Sequence, residues 1–239
     1  MDVNRNEFTL LLLLLNFRTS HLTLAIFDLD ETLISADSDH AWGEFIIRKG
    51  LVEESTHREL NNQFYNDYRA GCLDIDAYMK FSCSVLAATD SKQLISLREE
   101  FVEQEIKPLV QPGALELVES HRSAGDTLMI ITATIEFITR PIADLFGIDT
   151  LIAPIPEVRD GEYTGKLSGV PSFREGKVIR LNAWLKDNPD TLAGSYFYSD
   201  SINDLPLLEL VDHPTAVNPD ESLQTVAKNR GWPILNFRT

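Results

Sequence analysis

The feature that most constrains this chain is residues 22–33, LTLAIFDLDETL, an apolar run that ends in acidic residues. Five of its first six residues are aliphatic, aromatic or β-branched, which is typical of a short strand buried in a parallel sheet. Asp28 and Asp30 follow directly, and in open α/β sheets ligands bind beyond the carboxyl ends of the strands. Two neighbouring carboxylates there are costly unless a cation, usually divalent, compensates them. The stretch predicts a metal-dependent site; the alternative is a strand that runs into a polar turn.

Composition limits the class of protein and its partners. The chain has 239 residues, 44% of them hydrophobic, and a formal net charge of −16. This length allows one large domain, or a core domain with a smaller one. The negative charge argues against nucleic acid and anionic membranes as partners, because both require a basic face. A phosphate substrate stays compatible, since its site depends on local lysines, backbone N–H groups and metal.

The N-terminal residues and the cysteines bear on location. Residues 10–15 are six leucines, but acidic residues outnumber basic ones before them and no small-residue cleavage site follows. We therefore expect residues 1–20 to be an extension outside the fold, with a secretory signal as the alternative. Cys72 and Cys83 are too few for a disulfide framework and are expected to be free thiols in a reducing compartment, so we expect a cytoplasmic protein.

The segment after the acidic strand end has helical spacing of apolar residues and no strand pattern. We predict four helices in it, the first capped by Asp39, at residues 39–50, 53–69, 74–88 and 91–105. Because this insertion directly follows the acidic strand end, we expect residues 37–107 to form a helical cap that overhangs the site. The alternative is that these are additional helices of a single domain.

Beyond the insertion, helical and strand patterns alternate. Strands are predicted at residues 127–132, 151–155, 194–198 and 215–217, with a small hairpin at 158–170. Helices are predicted at residues 112–125, 135–146, 173–186, 205–211 and 222–229. This alternation predicts an α/β fold with a doubly wound parallel sheet, built from residues 21–36 and 108–239.

Polar side chains follow three of the predicted strands. A lysine lies at the start of a predicted helix, between the second and third of these strands in the chain. These residues are Asp28 with Asp30, Thr132, Lys177, and Asp200 with Asp204. The two acidic groups can converge on one Mg²⁺, which prefers few carboxylates, several waters and a substrate phosphate. The lysine, the threonine and helix N-termini can hold a phosphoryl group. One carboxylate can accept that group as an aspartyl-phosphate while another transfers protons.

This ordered set resembles the haloacid dehalogenase superfamily of phosphatases. Its motif D-x-D-x-T corresponds to residues 28–32, and a strand ending in Ser or Thr corresponds to 130–132. Its lysine corresponds to Lys177, and its acidic pair D-x-x-x-D corresponds to residues 200–204. The resemblance covers residues 22–239 and is strongest to the phosphoserine phosphatase-like branch, which includes histidinol phosphatases and has the S-D-x-x-N-D form of the last motif.

The resemblance implies a Mg²⁺-dependent phosphomonoesterase acting on a small phosphorylated metabolite. It implies Asp28 as the nucleophile and Asp30 as the general acid and base. The residues it implies around Mg²⁺ are Asp28, Asp30 through its carbonyl, Asp200 and Asp204. The residues it implies for holding phosphate or supporting the site are Thr132, Ala133, Lys177 and Asn203.

Two positions in the insertion depart from the phosphoserine phosphatase pattern. The acidic cap residue that binds the substrate amine corresponds to Asp37, and the arginine that binds the substrate carboxylate corresponds to Ser82. A neutral serine cannot form a bidentate pair with a carboxylate. We therefore expect an amino-alcohol phosphate without a carboxylate, such as histidinol phosphate, with phosphoserine as the alternative.

Two other classes of protein fit parts of the pattern. A phosphoacceptor receiver domain of signalling proteins also uses a strand-end Asp, a Thr and a Lys on a doubly wound sheet. Such a receiver domain is much shorter and has no cap. It also lacks a general acid two residues after its nucleophile, the position that Asp30 occupies here. A non-catalytic binding protein on the same scaffold would not need the complete set of acids. The sequence does not predict an oligomeric state.

Overall fold

In a computed structural model, which describes residues 23–238, a six-stranded parallel sheet forms the centre of the molecule. Its strand order is β3-β2-β1-β6-β7-β8, so β1 lies between two strands that come much later in the chain. The strands are β1 Thr23–Phe27, β2 Thr127–Ile131, β3 Thr150–Ile152, β6 Thr191–Ser199, β7 His213–Val217 and β8 Ile234–Leu235. The predicted extension at residues 1–20 lies outside the described residues.

Both faces of β1 are buried, as its apolar sequence predicts. Leu24 and Ile26 belong to one core cluster and Ala25 and Phe27 to another, because successive side chains of a strand point to opposite faces. Helices cover each face and contribute to these clusters. They are α5 Pro112–Ala124 and α6 Glu136–Leu145 on one face, and α7 Glu175–Asp187, α8 Leu205–Leu208 and α9 Glu221–Arg230 on the other. The predicted doubly wound α/β fold is confirmed.

A two-stranded antiparallel hairpin follows β3, formed by β4 Ile155–Arg159 and β5 Glu162–Ser168. The predicted hairpin is confirmed, with Asp160 and Gly161 at its turn, both at positive φ. The predicted strand at 151–155 is too long, because β3 ends before Pro154, which has no N–H to donate. The short β8 was not predicted, since two residues carry no alternating pattern.

The insertion consists of four α-helices and two short irregular turns. Its helices are α1 Ser38–Arg48, α2 Glu54–Arg69, α3 Ile75–Ala87 and α4 Ser91–Phe101. A π-helical turn at Val102–Ile106 and a 3₁₀ turn at Lys107–Leu109 lead back to the core, so the fourth predicted helix is shorter than expected. Helix α3 packs on β5 of the hairpin, which therefore supports the insertion from the core side.

The predicted N-cap of the first helix is wrong by two residues. Asp37, with an extended backbone, accepts a hydrogen bond from the His40 backbone N at 2.7 Å and is the N-cap of α1. Asp39 lies inside the first turn, where its side chain is free of the capping role. The choice between two nearby aspartates depends on where the chain leaves its extended conformation, which side-chain type does not specify.

Among residues 23–238, none of the helices has both the length and the apolar character required to cross a bilayer.

The close approach of α1 and α2 leads to the first prediction. A Cβ on Gly43 would lie 2.5 Å from the side-chain amide atoms of Asn61. Alanine normally favours a helix over glycine by about 1 kcal/mol, but overpacking costs about 1–3 kcal/mol. We therefore expect Gly43→Ala to lower the free energy of unfolding, measured by urea denaturation.

The control is the same substitution on an Asn61→Ala background, where the obstructing amide is absent. There we expect Gly43→Ala to be neutral or stabilising. An equal effect of Gly43→Ala on both backgrounds would contradict the proposed steric cause.

Candidate active site

The predicted polar residues meet at the carboxyl edge of the sheet because β1 lies between β2 and β6. Asp28 follows β1, and its backbone N donates to the Tyr198 carbonyl of β6 at 2.9 Å. Thr132 follows β2 and Asp200 follows β6. All three side chains are at least nine-tenths buried. The convergence expected from the parallel strand order is what the structure shows.

Lys177 links the two acidic groups directly. Its Nζ donates to Asp28 Oδ1 at 2.8 Å and to Asp204 Oδ2 at 2.7 Å, and the side chain is only 1% exposed. The lysine lies in the first turn of α7, directly after Gly176. A Cβ on Gly176 would lie 2.1 Å from the Pro171 carbonyl oxygen, so this residue lets α7 begin close to the loop. The helix start thus carries the ammonium into the carboxylate cluster.

The carboxylates around this lysine outnumber it. Burial alone would lower the pKa of Lys177, but the ion pairs with Asp204 and Asp28 outweigh it and raise that pKa. Burial raises the pKa of Asp204 to about 6 in spite of the lysine, and that of Asp28 also lies above its ordinary value. Burial and the charge of Asp28 raise the pKa of Asp200 well above its usual range. Ionising all of these carboxyls is therefore costly with Lys177 alone, and a further cation would favour their ionised forms.

Asp200 has an oxygen that a cation could use. It accepts one side-chain hydrogen bond, from Thr32 Oγ1 at 3.1 Å. The Asp204 carboxylate instead receives the Lys177 ammonium and the Ser199 hydroxyl, at 2.7 Å each. Within residues 23–238 no three His, Cys, Asp or Glu side chains are grouped so as to bind a metal by themselves. A metal here would need backbone oxygen, water or substrate ligands as well, which is the coordination that Mg²⁺ prefers.

Asp30 lies at the boundary between the sheet and the insertion. Its Oδ1 accepts from the Ser38 backbone N of α1 at 2.7 Å, and its Oδ2 accepts from Thr134 Oγ1 at 2.9 Å. Thr132 Oγ1 lies 3.4 Å from the same oxygen. Burial and the nearby charge of Asp37 raise the pKa of Asp30 to about 7. At neutral pH this carboxyl can therefore both give and take a proton.

Asn203 joins the core to the insertion. Its Nδ2 donates to the Tyr68 carbonyl of α2 at 2.9 Å, and its Oδ1 accepts from Arg174 Nε at 3.1 Å. Arg174 also donates through Nη2 to the Gly71 carbonyl, and its backbone has a φ of 50°. A positive φ is unusual for a non-glycine residue, and here it precedes the helix that carries Lys177. The predicted supporting role of Asn203 thus has a specific geometric form.

A pocket of ≈ 470 Å³, which we call the catalytic pocket, opens above these groups and includes solvent at its mouth. The core contributes three threonine or alanine side chains and two aspartates, and the insertion contributes acidic, aromatic and amide groups. Its lining residues are Asp28, Asp30, Asp37, Asp39, His40, Asn61, Phe64, Tyr65, Tyr68, Leu73, Tyr78, Thr132, Ala133 and Thr134. None of these described residues is a lysine or an arginine, so the lining has acidic groups without basic side chains other than His40.

Two acids from the start of α1 face this pocket. Burial and the neighbouring charge of Asp39 raise the pKa of Asp37 to about 7. Burial likewise raises the pKa of Asp39 to about 7, although a hydrogen bond from Tyr78 acts to lower it; the charge of Asp30 adds to the increase. Asp37 lies where the sequence placed a substrate-binding acid. Asp39 was predicted only as a helix cap, and no sequence signal distinguished it from a solvent-exposed acid.

Ser82 does not line the catalytic pocket. It lines a narrow adjacent pocket, which we call the side pocket, together with Asp39, Asn61 and Phe81; the ≈ 250 Å³ of space there includes open solvent. The aromatic residues Tyr65, Phe64 and Tyr78 were also missed as pocket residues. Their helical spacing predicts burial, but it does not say whether an apolar face meets another helix or a ligand.

Residues 25–209 match the family model of haloacid dehalogenase-like hydrolases. The chain is 50% identical over 219 residues to a histidinol-phosphatase of Neisseria meningitidis serogroup C (strain 8013), covering 90% of this chain and 99% of that protein. A crystal structure of a protein of unknown function from Bordetella pertussis Tohama I superposes with a TM-score of 0.86 at 42% identity, covering 92% and 100% of the two chains.

A substrate-bound phosphoserine phosphatase structure shares the fold, with a TM-score of 0.67 at 16% identity over 89% of this chain and 92% of that one. The family match spans the strand ends that carry Asp28, Thr132 and Asp200, as well as Lys177. From these similarities and the site that the strands assemble, the chain is an enzyme of the haloacid dehalogenase-like hydrolase family.

Proposed function

We propose that this hydrolase is a Mg²⁺-dependent phosphomonoesterase that cleaves histidinol phosphate through an aspartyl-phosphate. The observation that carries the choice of substrate is the catalytic pocket, which joins Asp28 and Asp30 to two further acids, Asp37 and Asp39, and has no lysine or arginine among its described lining residues. Such a pocket favours a phosphate ester that brings positive charge of its own. The histidinol-phosphatase of Neisseria meningitidis, 50% identical over nearly its full length, supports the same substrate.

In the first chemical step, an oxygen of Asp28 attacks phosphorus as the bond from phosphorus to the substrate alcohol breaks. Lys177, at 2.8 Å, favours the deprotonated form of Asp28 that this attack requires. Asp30 gives its proton to the leaving alkoxide; its pKa of about 7 leaves a substantial protonated fraction at neutral pH. The products are the free alcohol and an aspartyl-phosphate on Asp28.

In the second step, Asp30, now deprotonated, takes a proton from a water that attacks the same phosphorus. The bond between phosphorus and the Asp28 oxygen breaks, so inorganic phosphate leaves and both carboxyls return to their starting states. Thr132 and the backbone N–H of Ala133 follow the end of β2 and line the pocket, where they can hold the phosphoryl oxygens.

The carboxylates at the sheet edge fit a bound Mg²⁺. Asp28 and Asp200 would hold it with the Asp30 carbonyl, since Asp200 has a raised pKa and Lys177 is the one lysine paired with this cluster in residues 23–238. When bound, Mg²⁺ offsets the charge of the phosphoryl oxygens. The Asp204 side chain, held by Lys177 and Ser199, acts by fixing the lysine.

Residues 37–107 form the cap in this proposal, over a core of residues 21–36 and 108–239. The contacts of Asn203 and Arg174 with Tyr68 and Gly71 are among those that cap opening would break. Asp37 supplies the negative charge for the substrate ammonium, next to the reacting groups. The free thiols at Cys72 and Cys83 suit a cytoplasmic enzyme.

Phosphoserine is the second candidate substrate, because phosphoserine phosphatases share the fold. Its carboxylate would need a basic partner, yet the described lining offers His40 and no arginine or lysine. The four aspartates of the lining would repel that carboxylate when they are ionised. We therefore rank phosphoserine below histidinol phosphate.

The nucleophile can be tested with Asp28→Asn, which keeps the shape of the side chain. We expect hydrolysis of histidinol phosphate and of an aryl phosphate to fall by several orders of magnitude, because an amide cannot form the phosphoenzyme. Released phosphate is the measurement. Asp76→Asn, the same change on the exposed first turn of α3, should leave the rate unchanged. A rate for Asp28→Asn within tenfold of wild type would refute the mechanism.

Metal binding can be tested through stability. We expect Mg²⁺ to raise the melting temperature, by an amount that corresponds to about 2.7 kcal/mol when the ion is at 100 times its dissociation constant. Asp200→Asn should remove most of this shift, because a neutral amide leaves less charge for the cation to offset. Asp76→Asn should keep it. If excess Mg²⁺ leaves the wild-type melting temperature unchanged, the metal site is wrongly assigned.

The substitution Asp37→Asn tests whether Asp37 acts in binding the substrate ammonium rather than in the reaction itself. Asparagine is also a good N-cap, so α1 should keep its start and its stability. We expect kcat/KM for histidinol phosphate to fall at least about tenfold, since removing one partner of a buried charge pair costs about 2–5 kcal/mol. An aryl phosphate, which has no ammonium, should be hydrolysed at nearly the wild-type rate. Equal losses on both substrates would mean that Asp37 serves the core site or the fold.

A further inference from the structure

Glu31 lies between Asp30 and Thr32 in the loop after β1, and the proposed chemistry gives it no role. We call this loop, residues 28–36, the catalytic loop. The backbone of Glu31 has a φ of 52°, in the left-handed region that few residues other than glycine occupy. Such a residue keeps this conformation only where its surroundings over-determine it. The conformation of Glu31 therefore depends on contacts that other parts of the chain provide.

The backbone of Glu31 is held on both sides of its Cα. Its N–H donates to the Ala36 carbonyl at 3.2 Å, and its own carbonyl accepts from Asn218 Nδ2 at 3.1 Å. Asn218 is buried directly after β7, and its Oδ1 accepts from the Phe237 backbone N at 2.8 Å. The catalytic loop is thus linked to the end of β7 and to the segment that follows β8.

The Glu31 carboxylate joins two further parts of the chain to this loop. Its Oε1 accepts from the Tyr65 hydroxyl of α2 at 3.0 Å. Its Oε2 accepts from Arg238 Nη2 at 2.7 Å, in an ion pair whose glutamate side chain is 22% exposed. One carboxylate, with a different partner on each oxygen, therefore connects the catalytic loop to the insertion and to the C-terminal segment.

The peptide bond between Asp30 and Glu31 carries the Asp30 carbonyl, which the proposed function assigns to Mg²⁺. Because a peptide unit is planar, this carbonyl turns as a whole when the N–Cα bond of Glu31 rotates. The N–H contact of Glu31 holds one side of that bond, and its carbonyl and carboxylate contacts hold the other. These contacts therefore restrict the direction of the Asp30 carbonyl.

We propose that Glu31 is a positioning residue, whose carboxylate contacts with Tyr65 and Arg238 hold the peptide between Asp30 and Glu31 in one orientation. In the proposed function, on which this inference rests, that orientation presents the Asp30 carbonyl to Mg²⁺. Charge alone would act in the opposite direction. Arg238 lines one pocket with Glu31, Tyr65 and the proposed metal ligand Asp200, so its positive charge by itself disfavours a bound cation.

The first measurement is the dissociation constant of Mg²⁺, obtained without substrate by titrating the melting temperature with the ion. We expect Tyr65→Phe to raise this constant about two- to tenfold, the range that one hydrogen bond provides. Arg238→Gln should raise it about two- to fivefold, since its ion pair is partly exposed. On charge alone, Arg238→Gln would lower the constant instead. If neither variant raises it, the inference is overturned.

The matched control is Arg159→Gln in the hairpin. Arg159 pairs with Glu157 at 2.7 Å, and that glutamate side chain is 24% exposed, so this ion pair resembles the one at Glu31 in distance and burial. The control should leave the Mg²⁺ constant unchanged, because its partner is outside the catalytic loop.

A Glu31→Ala background tests whether the two contacts act through Glu31. The carboxylate that accepts both hydrogen bonds is absent there, so Tyr65→Phe and Arg238→Gln should raise the Mg²⁺ constant no further. Increases as large as those in the wild-type background would show that the two side chains act by another route, and would rule out the positioning role of Glu31.

Amide hydrogen exchange of the metal-free protein gives a second readout, which depends neither on Mg²⁺ nor on turnover. A less restrained peptide between Asp30 and Glu31 breaks the Glu31 N–H contact with Ala36 more often. Exchange in residues 28–36 should therefore be faster in Tyr65→Phe and Arg238→Gln than in the wild type or in the hairpin control.

The two readouts separate this inference from the proposed function. If Mg²⁺ does not bind to the wild type, the metal assignment of the proposed function fails, and hydrogen exchange alone decides the role of Glu31. Faster exchange of residues 28–36 in the Tyr65→Phe and Arg238→Gln variants then supports the positioning role. Exchange at the wild-type rate in both variants overturns it.

Discussion

The buried contact of Lys177 with Asp28 and Asp204 is the interaction on which the site depends. It joins residues 149 positions apart and brings the end of β1, the start of α7 and the end of β6 together. Removing one partner of such a buried group typically costs about 3–5 kcal/mol, because it leaves a charge without compensation. The same contact leaves an excess of carboxylates, which makes the sheet edge receptive to a divalent cation.

The sheet and the insertion contribute different parts of the pocket. The strand ends carry the groups that can do chemistry, on a framework buried on both faces. The start of α1 carries Asp37 and Asp39, and Asp30 ties it to the sheet through the Ser38 backbone N. The two parts are coupled, because the nearby charge of Asp37 contributes to the raised pKa of Asp30. Proteins similar to this chain include a histidinol-phosphatase and a phosphoserine phosphatase, whose names indicate different substrates.

The acidic lining is the reason we propose a positively charged substrate over one with a carboxylate. Burial raises the pKa values of Asp30, Asp37 and Asp39 to about 7, so each gains from a cation placed nearby. The aromatic residues of α2 and α3 exclude water from part of the pocket, which strengthens these interactions. A positively charged group of the proposed substrate would therefore stabilise the ionised forms of these acids.

The sequence by itself determined the core layout and the residues at its catalytic edge. Buried strands have a local apolar pattern, and a parallel arrangement brings their carboxyl ends to one edge of the sheet. The position of Asp28, Thr132 and Asp200 at that edge could therefore be predicted from the sequence. Only the tertiary structure decided that Asp37 rather than Asp39 caps α1, that Ser82 faces a side pocket and that β8 extends the sheet. These features depend on how helices pack and where each one begins. Contacts between residues far apart in the chain set those choices, and no local pattern of residues encodes them.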